Sequence, residues 1–164
     1  MKRAIILVLC LCLAAVTVSC GNEYDILSYQ ENDIIARCYV NEKYDLEIKK
    51  TGECVRICIF SPDFLCGITF EFSDTSSFAI KDDVVIPIDK KDLNGIYALS
   101  QMFSLSECTL TTVAENGVIS FKTDLGVYTV SYGENNLPKS ITILGDGFDY
   151  SVEITGIEIK SNGN

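Results

Sequence analysis

From Asp33 to Ile159 the chain alternates apolar and polar residues with a period of two, cut at short intervals by turn residues. Successive strand side chains point to opposite faces, so this rhythm builds short antiparallel strands joined by tight turns. Ile34, Ala36, Cys38 and Val40 mark the first strand, and Tyr44, Leu46 and Ile48 the second, on either side of Asn41-Glu42-Lys43. A Gly-containing turn at Lys50–Glu53 leads to Cys54–Phe60. Ser61-Pro62-Asp63-Phe64 stops that strand, because Pro donates nothing to a ladder. Cys66–Phe72 returns with Cys66, Ile68, Phe70 and Phe72 on one face, and Phe78–Lys81 and Val84–Ile88 flank Asp82-Asp83. Later strands read as Glu107–Val113, Val118–Thr123, Val127–Tyr132, Ser140–Leu144 and Phe148–Ile154, the last running on towards Ile159.

The rhythm breaks once. Leu93, Ile96, Leu99, Met102 and Phe103 follow helical spacing, which predicts one helix over about residues 90–104. Asp89 is placed to cap it, with Asp92 in the first turn, where the helix dipole favours negative charge. Gly95 lies inside this helix and costs about 1 kcal/mol against Ala, so the helix needs tertiary contacts. The sum is a mainly β (α+β) domain of roughly ten to eleven antiparallel strands with one inserted helix. Such a meander must curl to manage its edges. Several strands are apolar on both faces: Val55, Ile57 and Ile59 alternate with Cys54, Cys58 and Phe60. The reading is therefore a curled sheet, an unclosed half-barrel, with the helix across its concave side and both faces dry.

Ahead of this domain lies an export signature. Lys2 and Arg3 precede an apolar run from Ala4 to Val18, which ends at Thr17-Val18-Ser19-Cys20-Gly21. The run is shorter than the roughly 20 residues of a membrane span. A Cys following a small residue at such a cut resembles the lipobox of bacterial lipoproteins, although Thr17 stands where Leu is preferred. That resemblance implies diacylglyceryl attachment at Cys20. Residues 1–19 are then the lipoprotein signal peptide, 20–32 the lipidated Cys and a flexible tether with a helical turn at Asp25–Tyr29 that docks Ile26 and Tyr29 on the domain, 33–160 the single domain, and 161–164 a frayed tail. The expected location is extracytoplasmic, on the bacterial cell membrane.

Composition excludes much chemistry. The chain has no His and no Trp, so His-dependent nucleophiles and His-ligated metals are ruled out, and no metal or other cofactor is expected. All 23 acidic residues but only 11 of the 13 basic ones lie from Cys20 onward, a formal charge of −12 there. Nucleic acid is therefore not a partner. Cys38, Cys54, Cys58, Cys66 and Cys108 are an odd set in apolar runs, where Cys serves as a small hydrophobe. Cys54 and Cys58 stand about 13 Å apart along a strand and cannot bond to each other. Cys58–Cys66 is one possible bridge across a hairpin, where the pairing would be diagonal and strained. Asp82-Asp83 and Asp146…Asp149 read as turn carboxylates rather than a hydrolase pair or a calcium site. Arg37 and Arg56 read as surface ion pairs rather than clamps for a lipid phosphate.

The hairpins Tyr44–Phe60 and Cys66–Phe72, the helix Lys91–Phe103 after Val84-Val85-Ile86-Pro87-Ile88, and the step Asn136-Leu137-Pro138-Lys139-Ser140-Ile141 together resemble the LolA/LolB/LppX-like lipoprotein carriers. The resemblance spans about Ile34 to Ile159 and departs in having no long N-terminal helix. It implies a non-enzymatic protein that binds an apolar ligand, a lipid or acyl chain, in the half-barrel. The ligand or lid surface would be Leu93, Ile96, Leu99, Met102 and Phe103 with Phe70 and Phe72. The competing expectation is an interaction module, monomer or homodimer, that assists an envelope or sporulation/germination enzyme. A hollow beneath the helix favours the first, and a filled core the second.

Overall fold

The computed structural model describes residues 27–105, 109–113 and 117–160, without the side chains of 110–113. Eleven strands form one antiparallel sheet: β1 (Asp33–Val40), β2 (Tyr44–Thr51), β3 (Cys54–Ser61), β4 (Thr69–Phe72), β5 (Ser77–Lys81), β6 (Val84–Pro87), β7 (Thr109–Val113), β8 (Val118–Thr123), β9 (Gly126–Tyr132), β10 (Pro138–Gly145) and β11 (Phe148–Lys160). Their order is β6-β5-β4-β3-β2-β1-β11-β10-β9-β8-β7. The chain thus lays down one half outward from β1 and the other half inward to β11, and the two halves meet where β1 pairs with β11. The outermost strands, β6 and β7, do not pair, so the sheet is unclosed. The helix α1 (Asn94–Gln101) lies in the connection between those two edges.

The curl follows from what α1 touches. The Tyr97 ring lies 5.4 Å from that of Phe72 on β4, and the Ala98 carbonyl accepts the Tyr128 hydroxyl of β9 at 2.9 Å. Six strand spacings separate β4 from β9 in the sheet order, roughly 29 Å if flat. A helix of eight residues is about 12 Å long and about 10 Å thick. It reaches both strands only because the sheet wraps around it.

One face of β1, β2 and β3 is buried, as alternation demands. Ile34, Ala36, Cys38 and Val40 of β1, Leu46 and Ile48 of β2, and Val55, Ile57 and Ile59 of β3 are 0–4% exposed. On β11 the core parity switches. Val152 and Ile154 pair with Val40 and Cys38, whereas Ile157 and Ile159 pair with Ala36 and Ile34. A β-bulge at Thr155 absorbs the extra residue, and its hydroxyl donates to the Arg37 carbonyl at 3.2 Å.

Four expectations are corrected. The opposite face is not dry: Cys54 and Cys58 are half-buried and Phe60 is 37% exposed. There the Arg37 guanidinium makes a two-pronged pair with Asp45, both contacts 2.7 Å, and lies 3.9 Å above the Phe60 ring. Arg56 pairs with Glu71 at 2.7 Å, so both arginines are surface ion pairs. The fourth strand begins at Thr69 rather than Cys66, because residues 62–68 form successive turns. Cys66 is therefore exposed in a turn, Thr69 pairs with Cys58, and both thiols are free. Finally, the helix starts at Asn94 instead of about 90. Asp89 spends its carboxylate on the Lys91 N–H (2.9 Å), closing a separate turn, and the first α-type bond runs from Tyr97 N–H to Leu93 carbonyl.

The domain also begins before β1. Ser28–Glu31 is a 3₁₀ turn with Tyr29 and Gln30 buried. Residues 28–31 are thus docked on the domain within the stretch read as tether.

Candidate functional site

The concave trough is filled from above by one segment. Ala98, Leu99, Met102, Phe103 and Leu105 are each 0–2% exposed. They share a core with Phe72, Tyr128, Val130, Ile141 and Ile143 of the sheet. Each large apolar side chain so placed contributes about 1.5–3 kcal/mol, as an upper bound. Of the seven apolar residues singled out by spacing, the structure brings Leu99, Met102, Phe103 and Phe72 into this core, with Ile96 and Phe70 packed at its margin. Leu93 stands apart as the residue before the helix, half-exposed and outside the cluster. Cys20, Ile26 and Cys108 lie outside the described residues.

Two polar bonds fix the segment. The first is the Tyr128 hydroxyl to the Ala98 carbonyl. The second is the Leu105 N–H to Gln30 Oε1 at 2.6 Å, while Gln30 Nε2 donates to the Tyr29 hydroxyl at 3.0 Å. Gln30 is 2% exposed and its amide carries the end of the helical segment onto the 3₁₀ turn. Burial pushes the Tyr29 phenol upward, more than its bond to Gln30 lowers it.

Space remains beside this plug rather than beneath it. A cleft of about 420 Å³ opens where the 3₁₀ turn, the β2–β3 turn, the β4–β5 turn and α1 converge. Val55, Phe72 and Tyr97 supply apolar wall, and Gln30, Gln101 and Ser104 polar wall. Lys50 and Lys90 reach into it with Glu31, Glu53 and Asp74. Lys50 Nζ donates to the Gln30 carbonyl. Its pKa is lowered by burial, with Glu53 and Asp33 opposing. Lys90 Nζ sits 5.1 Å from the centre of the Tyr97 ring. A second, more open cleft of about 410 Å³ adjoins it and shares Asp74 and Lys90. Ser77 lines that one, its buried Oγ without a hydrogen-bond partner.

Of this cleft the residues singled out by spacing include only Phe72, because its walls come from five separated stretches joined only by the curl. Asp82-Asp83 and Asp146…Asp149 are exposed at turns, outside both clefts. Among the described residues no three His, Cys, Asp or Glu side chains are grouped as a metal site would need. No helix among them is long and apolar enough to cross a membrane.

No protein-family model and no curated protein matches the chain. Solved structures do. An uncharacterized conserved protein from Thermus thermophilus is similar at 10% identity, over 83% of this chain and 86% of that one, with a TM-score of 0.49. A LolA superfamily protein from Nitrosomonas europaea is similar at 8% identity, over 85% and 94%, with a TM-score of 0.47. A domain from Vibrio parahaemolyticus, named for outer membrane lipoprotein sorting, is similar at 10% identity, over 85% and 93%, with a TM-score of 0.45. The unclosed antiparallel sheet with one inserted helix is the architecture that the sequence reading expected.

Proposed function

We propose that this is a non-enzymatic lipoprotein, held outside the cytoplasm by an acylated Cys20, whose half-barrel works as an interaction module for another envelope protein. The observation that supports this reading is the occupied trough: among the described residues, Leu99, Met102, Phe103 and Leu105 are 0–2% exposed against the sheet, where an acyl chain would otherwise lie. Three consecutive apolar residues stay in water on the edge strand β6, where Val84, Val85 and Ile86 are 59%, 56% and 55% exposed. Ile88 N–H donates to the Ser77 carbonyl. Antiparallel alternation then turns the main-chain groups of Val85 and the carbonyl of Pro87 away from β5. An extended partner segment can add there as a further strand. Asp82 and Asp83 precede β6 beside Lys81, and Asp89 follows it beside Lys90 and Lys91, so the strand is flanked by charges of both signs.

A second reading, an apolar ligand taken into the trough, is favoured by the plug itself. α1 has eight residues, no side-chain cap and Gly95 within it, so it depends on its packing. A lipid or acyl chain would replace Leu99, Met102 and Phe103 against Phe72, with Ile96, Phe70 and Leu93 at the entrance.

Two titrations separate the readings. A peptide alternating Val and Thr should bind saturably and lose binding on Val85→Pro, which removes the outward N–H. A fluorescent fatty-acid analogue should not bind. Saturable binding of the analogue, abolished by a cross-link holding α1 to β9, would transfer the function to the second reading. Absence of acyl mass at Cys20 would remove the anchor from both.

A further inference from the structure

The cleft beside α1 carries an arrangement that neither reading uses. The chain has nearly twice as many acids as bases, yet the two lysines lining its main cleft have no carboxylate within ion-pair distance among the described residues. Both are half-buried, while Glu31, Glu53 and Asp74 of the same cleft are exposed. The two lysines are thus less exposed than the carboxylate residues of the same cleft.

An ammonium has three donors, and Lys50 uses one on the Gln30 carbonyl. Lys90 Nζ lies over the Tyr97 ring, 5.1 Å from its centre, and makes no ion pair among the described residues. Withdrawing such a group from water is costly without a partner, and burial does lower the Lys50 pKa. A simple anion would meet the carboxylates first, and a simple cation would stop at them. We infer that this cleft binds a small zwitterion, its anionic group on Lys50 and Lys90 and its ammonium at Glu31, Glu53 and Asp74. A phosphoethanolamine unit has this chemistry, either as a free solute or as a lipid head group. The inference stands apart from the docking of a strand on β6 and survives its failure.

The full chain in maltoside micelles, labelled with ¹⁵N, would be titrated with O-phosphoethanolamine, inorganic phosphate and ethanolamine. The expected result is saturable shifts around Lys50, Lys90 and Gln101 with O-phosphoethanolamine, phosphate weaker by about tenfold or more, and no saturation with ethanolamine. Lys90→Ala and Lys50→Met should each weaken binding about tenfold or more with the rest of the spectrum unmoved. Glu53→Gln should weaken O-phosphoethanolamine while leaving phosphate unchanged or tighter. Micelles doped with phosphatidylethanolamine distinguish the sources: competition identifies a head group, and its absence a free solute. No saturation with O-phosphoethanolamine, equal binding of phosphate, or undiminished binding in both lysine variants would overturn the inference.

Discussion

Gly95→Ala tests the packing of α1 against the sheet. Taken alone, the helix gains about 1 kcal/mol from the exchange, because Ala costs less chain entropy than Gly. The surroundings oppose it. A Cβ at position 95 would stand 2.4 Å from the Tyr150 hydroxyl oxygen, and 3.2 and 3.3 Å from Cζ and Cε2 of that ring. Tyr150 stacks on Phe148 with centroids 5.5 Å apart, so it cannot yield without disturbing a second ring. Overpacking of this kind costs about 1–3 kcal/mol, which leaves the variant between neutral and about 2 kcal/mol less stable. In a Tyr150→Ala background the obstacle is gone, and the same exchange should stabilise by about 1 kcal/mol. Urea denaturation of the four proteins gives the coupling directly, expected at about 1–3 kcal/mol. Tyr150→Phe should recover only part of it, since the ring carbons remain close. If Gly95→Ala stabilised the parent protein by the full helical increment, α1 would not lie against β11 as described.

The remaining predictions concern the same plug and the sheet beneath it. Gln30→Ala leaves the Leu105 N–H without its acceptor and should cost about 1–3 kcal/mol, read by thermal or urea unfolding. Tyr128→Phe removes the bond to the Ala98 carbonyl and should cost about 1 kcal/mol, with amide exchange accelerated in α1 before other elements. Gly126→Ala should destabilise far more than Gly156→Ala. The first has φ +150° with its Cβ 2.3 Å from the Leu144 carbonyl oxygen, whereas nothing lies within 4 Å of the second. Burial pushes the Cys38 thiol from 9.0 up to about 12. The folded state then holds a proton that the unfolded chain releases, so this stability is full below pH 9 and is lost as pH rises towards 12. Between about pH 9 and 10 the parent should lose about 1 kcal/mol that Cys38→Ala retains, and parallel pH profiles of the two would contradict the burial of that thiol.

The strand pattern was legible because burial on one face leaves a two-residue signature, clear from Ile34 to Val40 and from Ile141 to Ile143. Even the bulge was written in the chain, as the change of parity between Ile154 and Ile157. The helix was legible in Leu99, Met102 and Phe103 but not at its start, where the side chain of Asp89 and the backbone compete for the same N–H groups. The wetness of the outer face escaped notice, because Cys and Phe on a strand look the same whether they meet a second layer or an arginine. Of the cleft only Phe72 was legible, as an apolar residue of the expected ligand surface. Lys50 and Lys90 acquire their setting only when the β2–β3 turn and the approach to α1 are folded together, and no local rule reports on that distance.

The meeting of β1 with β11 has a consequence for the order in which this domain can form. Asp33 pairs with Lys160 and Val40 with Val152, so the strand that emerges first waits for the strand that emerges last. A chain delivered from its N-terminus, off a ribosome or through a membrane pore, cannot complete its central pairing until β11 has been delivered. Long-range pairing of this kind also makes folding slow. Threading is thereby protected from premature folding, at the expense of a period in which β1 has one unpaired edge and a row of Ile, Ala, Cys and Val in water.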